Sequence, residues 1–257
     1  MNDVLRADHI TMRFGGLTAV DDFFISIKPM EIWGLIGPNG AGKTTIFNMV
    51  TGEYTPTEGR IYLKGKDITG LKPNVICGLG ISRTFQNIRL FRDLTVLENV
   101  LVAHHLRLRS NIFEAVLGLP GYTRQERQMV KEAEELLDKV ELWDVRMVKA
   151  GGLPYGRQRK LEIVRALATE PSLLLLDEPA AGMNPQETEE LMDFIKRIRD
   201  EFKVTIALVE HDMKVVMGIC ERITVLDYGE IISEGTAEQV QNDPAVIKAY
   251  LGEDYIA

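Results

Sequence analysis

The chain has 257 residues, 45% hydrophobic and 26% charged, with a formal net charge of −8. That length can bury a sizeable core without disulfide or metal staples, and the surplus of acid argues against a broad basic face for nucleic acid. Two cysteines, Cys77 and Cys220, fit a reducing compartment better than a disulfide framework.

The opening MNDVLRADHI has no basic segment followed by an apolar stretch, so no secretory signal is expected there. No window reaches the ~20 apolar residues of a bilayer span. Work at a membrane would therefore be the work of a peripheral subunit. Ile32–Ile36 is a short apolar run, expected as a strand, that ends in a Gly-rich loop. The following TTIFNMV reads as a helix, and strand, Gly-rich loop, helix is the context a phosphate-binding motif needs. Residues 88–150 carry helix-period patterns, clearest at 131–140, while Gly118, Pro120 and Gly121 interrupt the stretch before it. This region reads as a mostly helical insertion. Residues 172–176 form a continuous apolar run between Pro171 and Asp177, the pattern of a strand buried on both faces. Between 186 and 202, Leu191, Phe194, Ile195, Ile198 and Phe202 recur at helical spacing opposite a charged face. Residues 204–209 and 223–226 are further strands. Strands alternating with helices predict a parallel, doubly wound α/β sheet.

The strongest chemical signal is GPNGAGKT at 37–44. A phosphate chain needs many donors at close range. Gly37, Gly40 and Gly42 let the backbone wrap, and Pro38, Asn39 and Ala41 complete the loop, so that N–H groups point at the oxygens. The helix that follows adds partial positive charge. Lys43 is expected on the β- and γ-phosphates of ATP and Thr44 on Mg²⁺, with Thr45 beside them. The second signal is LLLLDEP at 173–179, a buried strand delivering two acids to the C-terminal edge of the sheet. Asp177 is expected to hold Mg²⁺ through water, and Glu178 to polarise the attacking water.

Three further pieces complete the pattern: Gln86 in SRTFQNIRLF, the segment LPYGRQRKLEIVRAL at 153–167, and His211 in VEHDM. With these the chain resembles the nucleotide-binding subunit of ABC transporters over nearly its whole length, with the motifs in the family's order. Within the family it is similar to the ATPase subunit of branched-chain amino-acid importers. The residues that carry this are MRFGGLTAV (12–20), RTFQNIRLFRDLTVLENV (83–100), DEPAAGMNP (177–185), EHDMKVVMGICERI (210–223), AYLGE (249–253) and the longer region near 101–130. The resemblance implies an ABC-type P-loop NTPase core with an antiparallel β subdomain, made of 1–87 and 151–257. It also implies an inserted α-helical subdomain, 88–150, that contacts the permease and leads into the signature segment.

By the same resemblance, Phe14 stacks on adenine. Gln86 contacts Mg²⁺ and the attacking water on the loop that couples to the membrane subunits, and His211 contacts the γ-phosphate. Two ATPase subunits, alike or different, pack head to tail, so Leu153, Pro154, Tyr155, Gly156 and Arg157 complete the partner's ATP site. The implied setting is the cytoplasmic side of the membrane. The partners there are permease subunits and, indirectly, a substrate-binding protein, with no nucleic acid. Urea or short-amide import and lipopolysaccharide export are the neighbouring alternatives for cargo. Soluble DNA- or ribosome-directed members typically carry two cassettes or zinc-binding cysteines, whereas this chain has one phosphate loop.

The sequence departs from the family at the signature, LSGGQ in its common form. Pro154 has neither the serine hydroxyl nor an N–H, Tyr155 replaces a glycine and Arg157 a glutamine. Proline is easily accommodated at a helix start, so the fold should survive while the γ-phosphate loses a donor worth about 1–3 kcal/mol. The expectation is an asymmetric pair of ATP sites. Asn184 stands where aspartate is common, which bears on communication between subunits rather than on ATP binding.

Overall fold

The computed structural model describes residues 3–104 and 120–251. The 105–119 part of the irregular region near 101–130 and the end of AYLGE thus lie outside the described residues. The chain forms two compact units, Met1–Gln86 with Ser172–Ala257, and Asn87–Pro171.

The first unit begins with β1 (Leu5–Phe14), β2 (Leu17–Ile27), β3 (Ile32–Ile36), α1 (Lys43–Val50), β4 (Glu58–Leu63), β5 (Lys66–Asp67), α2 (Pro73–Leu79) and β6 (Ile81–Arg83). The second unit holds α3 (Val96–His104), α4 (Pro120–Lys139) and α5 (Tyr155–Leu167). The first unit then resumes with β7 (Leu173–Asp177), α6 (Pro185–Phe202), β8 (Thr205–Val209), α7 (Met213–Ile219), β9 (Arg222–Asp227), β10 (Glu230–Gly235), α8 (Ala237–Gln241) and α9 (Pro244–Leu251).

Among the described residues of the first unit there are two sheets. One is antiparallel, in the order β2-β1-β4-β5, and the other runs β10-β9-β3-β8-β7-β6. Every residue of β3, β7 and β8 is buried, as central parallel strands covered on both faces require. The parallel sheet expected from the sequence carries one antiparallel strand at its edge. β10 joins β9 antiparallel, as an edge. The two-residue loop between them, Tyr228 (φ 45°) and Gly229 (φ 87°), has the paired positive φ that matches the twist of a tight hairpin. Between the sheets' apolar faces lie Phe23, Ile25, Phe47 and Ile61, all at most 2% exposed. Trp33 is equally deep, and its indole N–H donates to Thr224 Oγ1 at 2.9 Å.

α6 follows its sequence pattern closely. Asn184 caps it by accepting from the Gln186 and Glu187 amides, Glu187 closes the reciprocal bond, and Pro185 occupies the first turn. Thr188, Leu191, Phe194, Ile195 and Ile198 are its buried stripe, and Lys203 at φ 52° ends it. Asn184 thus has a local task as a helix cap.

In the second unit Val100, Ala133, Leu137, Ala150 and Leu161 are fully buried. Asn99 ties the loop before α3 to that helix. Its amide nitrogen donates to the carbonyls of Phe91 (3.0 Å) and Thr95 (2.9 Å), and its oxygen accepts the Phe91 amide (3.0 Å).

Candidate active site

β3 runs straight into the phosphate loop. At Gly37 (φ 151°) a Cβ would stand 2.0 Å from the Leu226 carbonyl oxygen, and at Gly42 (φ 107°) 2.6 Å from that of Ala19. The loop is therefore pressed against β9 and β2, and no side chain fits at either place. Gly40 (φ 84°) faces open space, so its requirement is conformational alone. The loop is pinned further by the Gly229 amide, which donates to the Ala41 carbonyl at 2.9 Å. α1 starts at Lys43 with no side-chain cap, which leaves its first amides for an anion.

Lys43 is 8% exposed. Its ammonium donates to the carbonyls of Gly37 (2.6 Å) and Pro38 (2.9 Å). Burial pushes its pKa below the ordinary lysine value, and the carboxylates of Glu178 and Asp177 oppose that shift. Thr44 is exposed on the first turn of α1, and Thr45 half-buried beside it.

β7 ends at Asp177, whose Oδ2 accepts from Arg83 Nη2 at 2.6 Å. The next residue, Glu178, is outside the ladder at φ 45°, a conformation that holds about 1–3 kcal/mol of strain in a non-glycine residue. Its backbone is fixed by donation to the Val209 carbonyl at 2.9 Å. Its Oε2 accepts from Gln86 Nε2 at 2.7 Å and lies 3.5 Å from His211 Nδ1. Three residues remote in sequence, Gln86, Glu178 and His211, thus meet around one carboxylate oxygen.

Glu210, fully buried, holds this loop pair in place. Its Oε1 accepts the Ala180 amide (2.8 Å), and its Oε2 accepts the amides of His211 (3.0 Å) and Asp212 (3.3 Å). Burial raises its pKa, and these three amides pull against the shift. In the sequence Glu210 is simply the residue before His211. An acid at the end of an all-apolar strand was the available signal. Arg83 and Tyr54 were missed as well. Phe14, 42% exposed at the β1–β2 turn, meets the Tyr54 ring edge-on, with centroids 5.3 Å apart. Phe14 pairs with Leu17, two residues before the Ala19 carbonyl that abuts Gly42. At roughly 3.3 Å per residue, that is within a nucleoside's reach of the loop.

The donor set fits a nucleotide carrying its own cation. Among the described residues no group of three or more His, Cys, Asp or Glu side chains could hold a metal by itself. One carboxylate, one hydroxyl and substrate phosphates are a usual Mg²⁺ environment, and Asp177 and Thr44 would supply the first two.

The signature residues lie in the other unit. Leu153 is buried, and Pro154 (φ −54°, ψ 151°) stands at the cap position of α5 without a side-chain bond. Its carbonyl accepts the Gln158 amide at 3.0 Å. The Tyr155 hydroxyl accepts from Arg159 at 3.2 Å, and Arg157 pairs with Asp144 at 2.9 Å.

A glycine loop entering a helix, a buried strand ending in paired acids, and a Gln–Glu–His cluster define a P-loop nucleoside-triphosphatase cassette. A family model described as "ABC transporter" matches residues 20–181. One described as "Branched-chain amino acid ATP-binding cassette transporter" matches residues 230–256. The chain belongs to the ABC transporter family, as one of its ATPase cassettes. It is 47% identical over 250 residues to the "High-affinity branched-chain amino acid transport ATP-binding protein LivG" of Escherichia coli (strain K12), covering 97% of this chain and 98% of that one. It also resembles the crystal structure of the ADP conformation of MJ1267, an ATP-binding cassette of an ABC transporter. There the TM-score is 0.85 at 32% identity, covering 98% of this chain and 100% of the other. A dimeric post-hydrolysis state of the cassette MJ0796, bound to ADP and Pi, matches with TM-score 0.73 at 27% identity, covering 91% of this chain and 98% of that one.

Proposed function

We propose that this chain is the ATP-hydrolysing subunit of an importer of branched-chain amino acids. It works on the cytoplasmic face of the membrane, paired head to tail with a second ATPase and docked on separate permease subunits. The meeting of Gln86, Glu178 and His211 beside the phosphate loop carries the chemistry. The cargo class rests on the likeness to LivG. Among the described residues no helix is long and apolar enough to cross a membrane, so the permease would supply the path, and the helical insertion 88–150 would face it.

The residues suggest a simple sequence of events. As ATP enters, Lys43 exchanges the carbonyls of Gly37 and Pro38 for phosphate oxygens, and the amides of the loop and of the first turn of α1 hold the β-phosphate. Phe14 stacks on adenine. Thr44 and Asp177 would hold Mg²⁺, which would supply positive charge to offset that of the phosphates. Gln86 and Glu178 orient a water in line with the γ-phosphate. Glu178 takes its proton as the new O–P bond forms and the bond to ADP breaks. His211 supports the γ-phosphate from the opposite loop. The partner's signature covers the same phosphate, so closure of the dimer reports that it is present.

The test is recovery of the native complex. With the chain tagged and purified gently from its own membranes, mass spectrometry is expected to find two different permeases and a second, distinct ATPase. A single ATPase species accompanied by lipid-export proteins would overturn the cargo reading, and soluble proteins alone would overturn transport itself.

The signature adds a second expectation. Pro154 gives no N–H or hydroxyl to the partner's ATP, so Pro154→Ser in the assembled transporter should speed ATP-driven closure and turnover. The restored donor is worth about 1–3 kcal/mol. Turnover and closure unchanged within error would end the idea of a weakened site.

A further inference from the structure

Arg83 is a nearly buried charge near the site that the chemistry above leaves unused. It closes β6, three residues before Gln86, and its side chain is 8% exposed. Nη2 donates to Asp177 Oδ2 at 2.6 Å and Nη1 to Asn48 Oδ1 at 2.7 Å, so one guanidinium bridges the end of β7 to the phosphate-loop helix α1. The rings of Phe47 and Phe85 lie on it, with centroids 5.6 and 5.3 Å from its central carbon. Nε is buried with no hydrogen-bond partner among the described residues. An apolar side chain would avoid that penalty, and burying a guanidinium is expensive in general. The two bonds it does make, to Asn48 and Asp177, are the reason its position is informative.

We propose that Arg83 is a positioning residue for the metal-side carboxylate: by engaging Oδ2 of Asp177 from a guanidinium fixed on α1, it presents Oδ1 to the hydrated cation that accompanies the nucleotide. The inference rests on the reading of Asp177 as the Mg²⁺-side acid. The planar fork is suited to this. It meets Asn48 and Asp177 through two nitrogens at once, which a lysine ammonium cannot reproduce in the same geometry. It also offsets the charge of Asp177, so the carboxylate alone is a poor trap for a bare cation and the metal arrives with the phosphates. The arrangement joins the helix that follows the phosphate loop, the Mg²⁺-side acid and the strand leading to Gln86 through one side chain.

The experiment uses the full chain and the fluorescent probe methylanthraniloyl-ATP, titrated with and without Mg²⁺, for Arg83→Met, Arg83→Lys and Asp177→Asn. Arg83→Met is expected to keep metal-free nucleotide binding within about two-fold, while the Mg²⁺ concentration giving half of the metal-dependent signal rises about ten-fold. Arg83→Lys, which keeps charge but not the fork, should fall between, and it serves if Arg83→Met does not fold. An unchanged Mg²⁺ requirement in both Arg83 variants, with Asp177→Asn shifted, would overturn the role of Arg83 and leave Asp177's reading intact. No shift in Asp177→Asn would instead overturn the underlying reading. Equal losses with and without Mg²⁺ would make Arg83 a structural residue only.

Discussion

Glu178→Gln should leave Mg-ATP bound and the ATPase pair closed, while turnover falls by about 10²–10⁴-fold. The amide has the same shape and can still accept from Gln86, whose Nε2 now stands 2.7 Å from Oε2. It cannot accept the proton that water must lose. The backbone demand is also unchanged, because the φ of 45° at this position is set by the strand end and by the bond to Val209, not by the carboxylate. Lys43, Thr44 and Asp177 are untouched, so equilibrium binding should persist. Single-turnover hydrolysis and nucleotide retention, both measured in the assembled transporter, separate the two effects. Hydrolysis near the wild-type rate would mean that another group accepts the proton. Of the side chains at hand, His211, 3.5 Å away and 60% exposed, would be the next to test.

The parts of this site legible in sequence are those in which residue type and chain order suffice. GPNGAGKT needs glycine for close approach, and two of its glycines indeed leave no room for a Cβ. The strands at 172–176 and 204–209 and the helix at 186–202 were visible because burial on both faces, or on one stripe, writes itself as an apolar run or a period. What stayed hidden depends on partners far along the chain. Arg83 reaches Asp177 across 94 positions and Asn48 across 35, and nothing in SRTFQ distinguishes a buried arginine from a solvated one. Glu210 looks like an acid beginning a loop, and only the fold turns three amides toward it. The positive φ of Glu178 is invisible because it is imposed by neighbours on a residue that does not prefer it. β10 was missed as an edge because Tyr228-Gly229 is a less familiar hairpin pair than Asn-Gly, although it supplies the same two positive φ angles.

A buried ion pair in the second unit gives the largest expected loss of stability. Arg159 is 0% exposed and Glu162 2%. Glu162 Oε2 accepts from Arg159 at 2.9 Å and Oε1 from the Arg89 amide at 3.0 Å, while the Arg89 carbonyl accepts from Arg165. Glu162→Ala would remove the carboxylate from a buried guanidinium and an acceptor from a backbone amide, an expected loss of about 3–5 kcal/mol. Against a typical total of about 5–15 kcal/mol, that should be plain in urea unfolding of the full chain. Glu162→Gln keeps an acceptor for one of the two donors and turns an amide N–H toward the other, so it should recover only part of that loss. The decisive comparison is the double change Arg159→Met with Glu162→Leu. Replacing both charges by apolar groups of similar volume removes the desolvation penalty of the guanidinium, so part of the stability should return, the Arg89 amide still lacking its acceptor. A double variant no more stable than Glu162→Ala would show that packing and the lost acceptor of the Arg89 amide, not a guanidinium buried without its carboxylate, set the loss. The pair lies on α5, whose first residue Tyr155 also bonds Arg159. A double variant that is stable but slow to close on ATP would therefore mean that the charges hold the signature in register, and that their contribution is to geometry more than to stability.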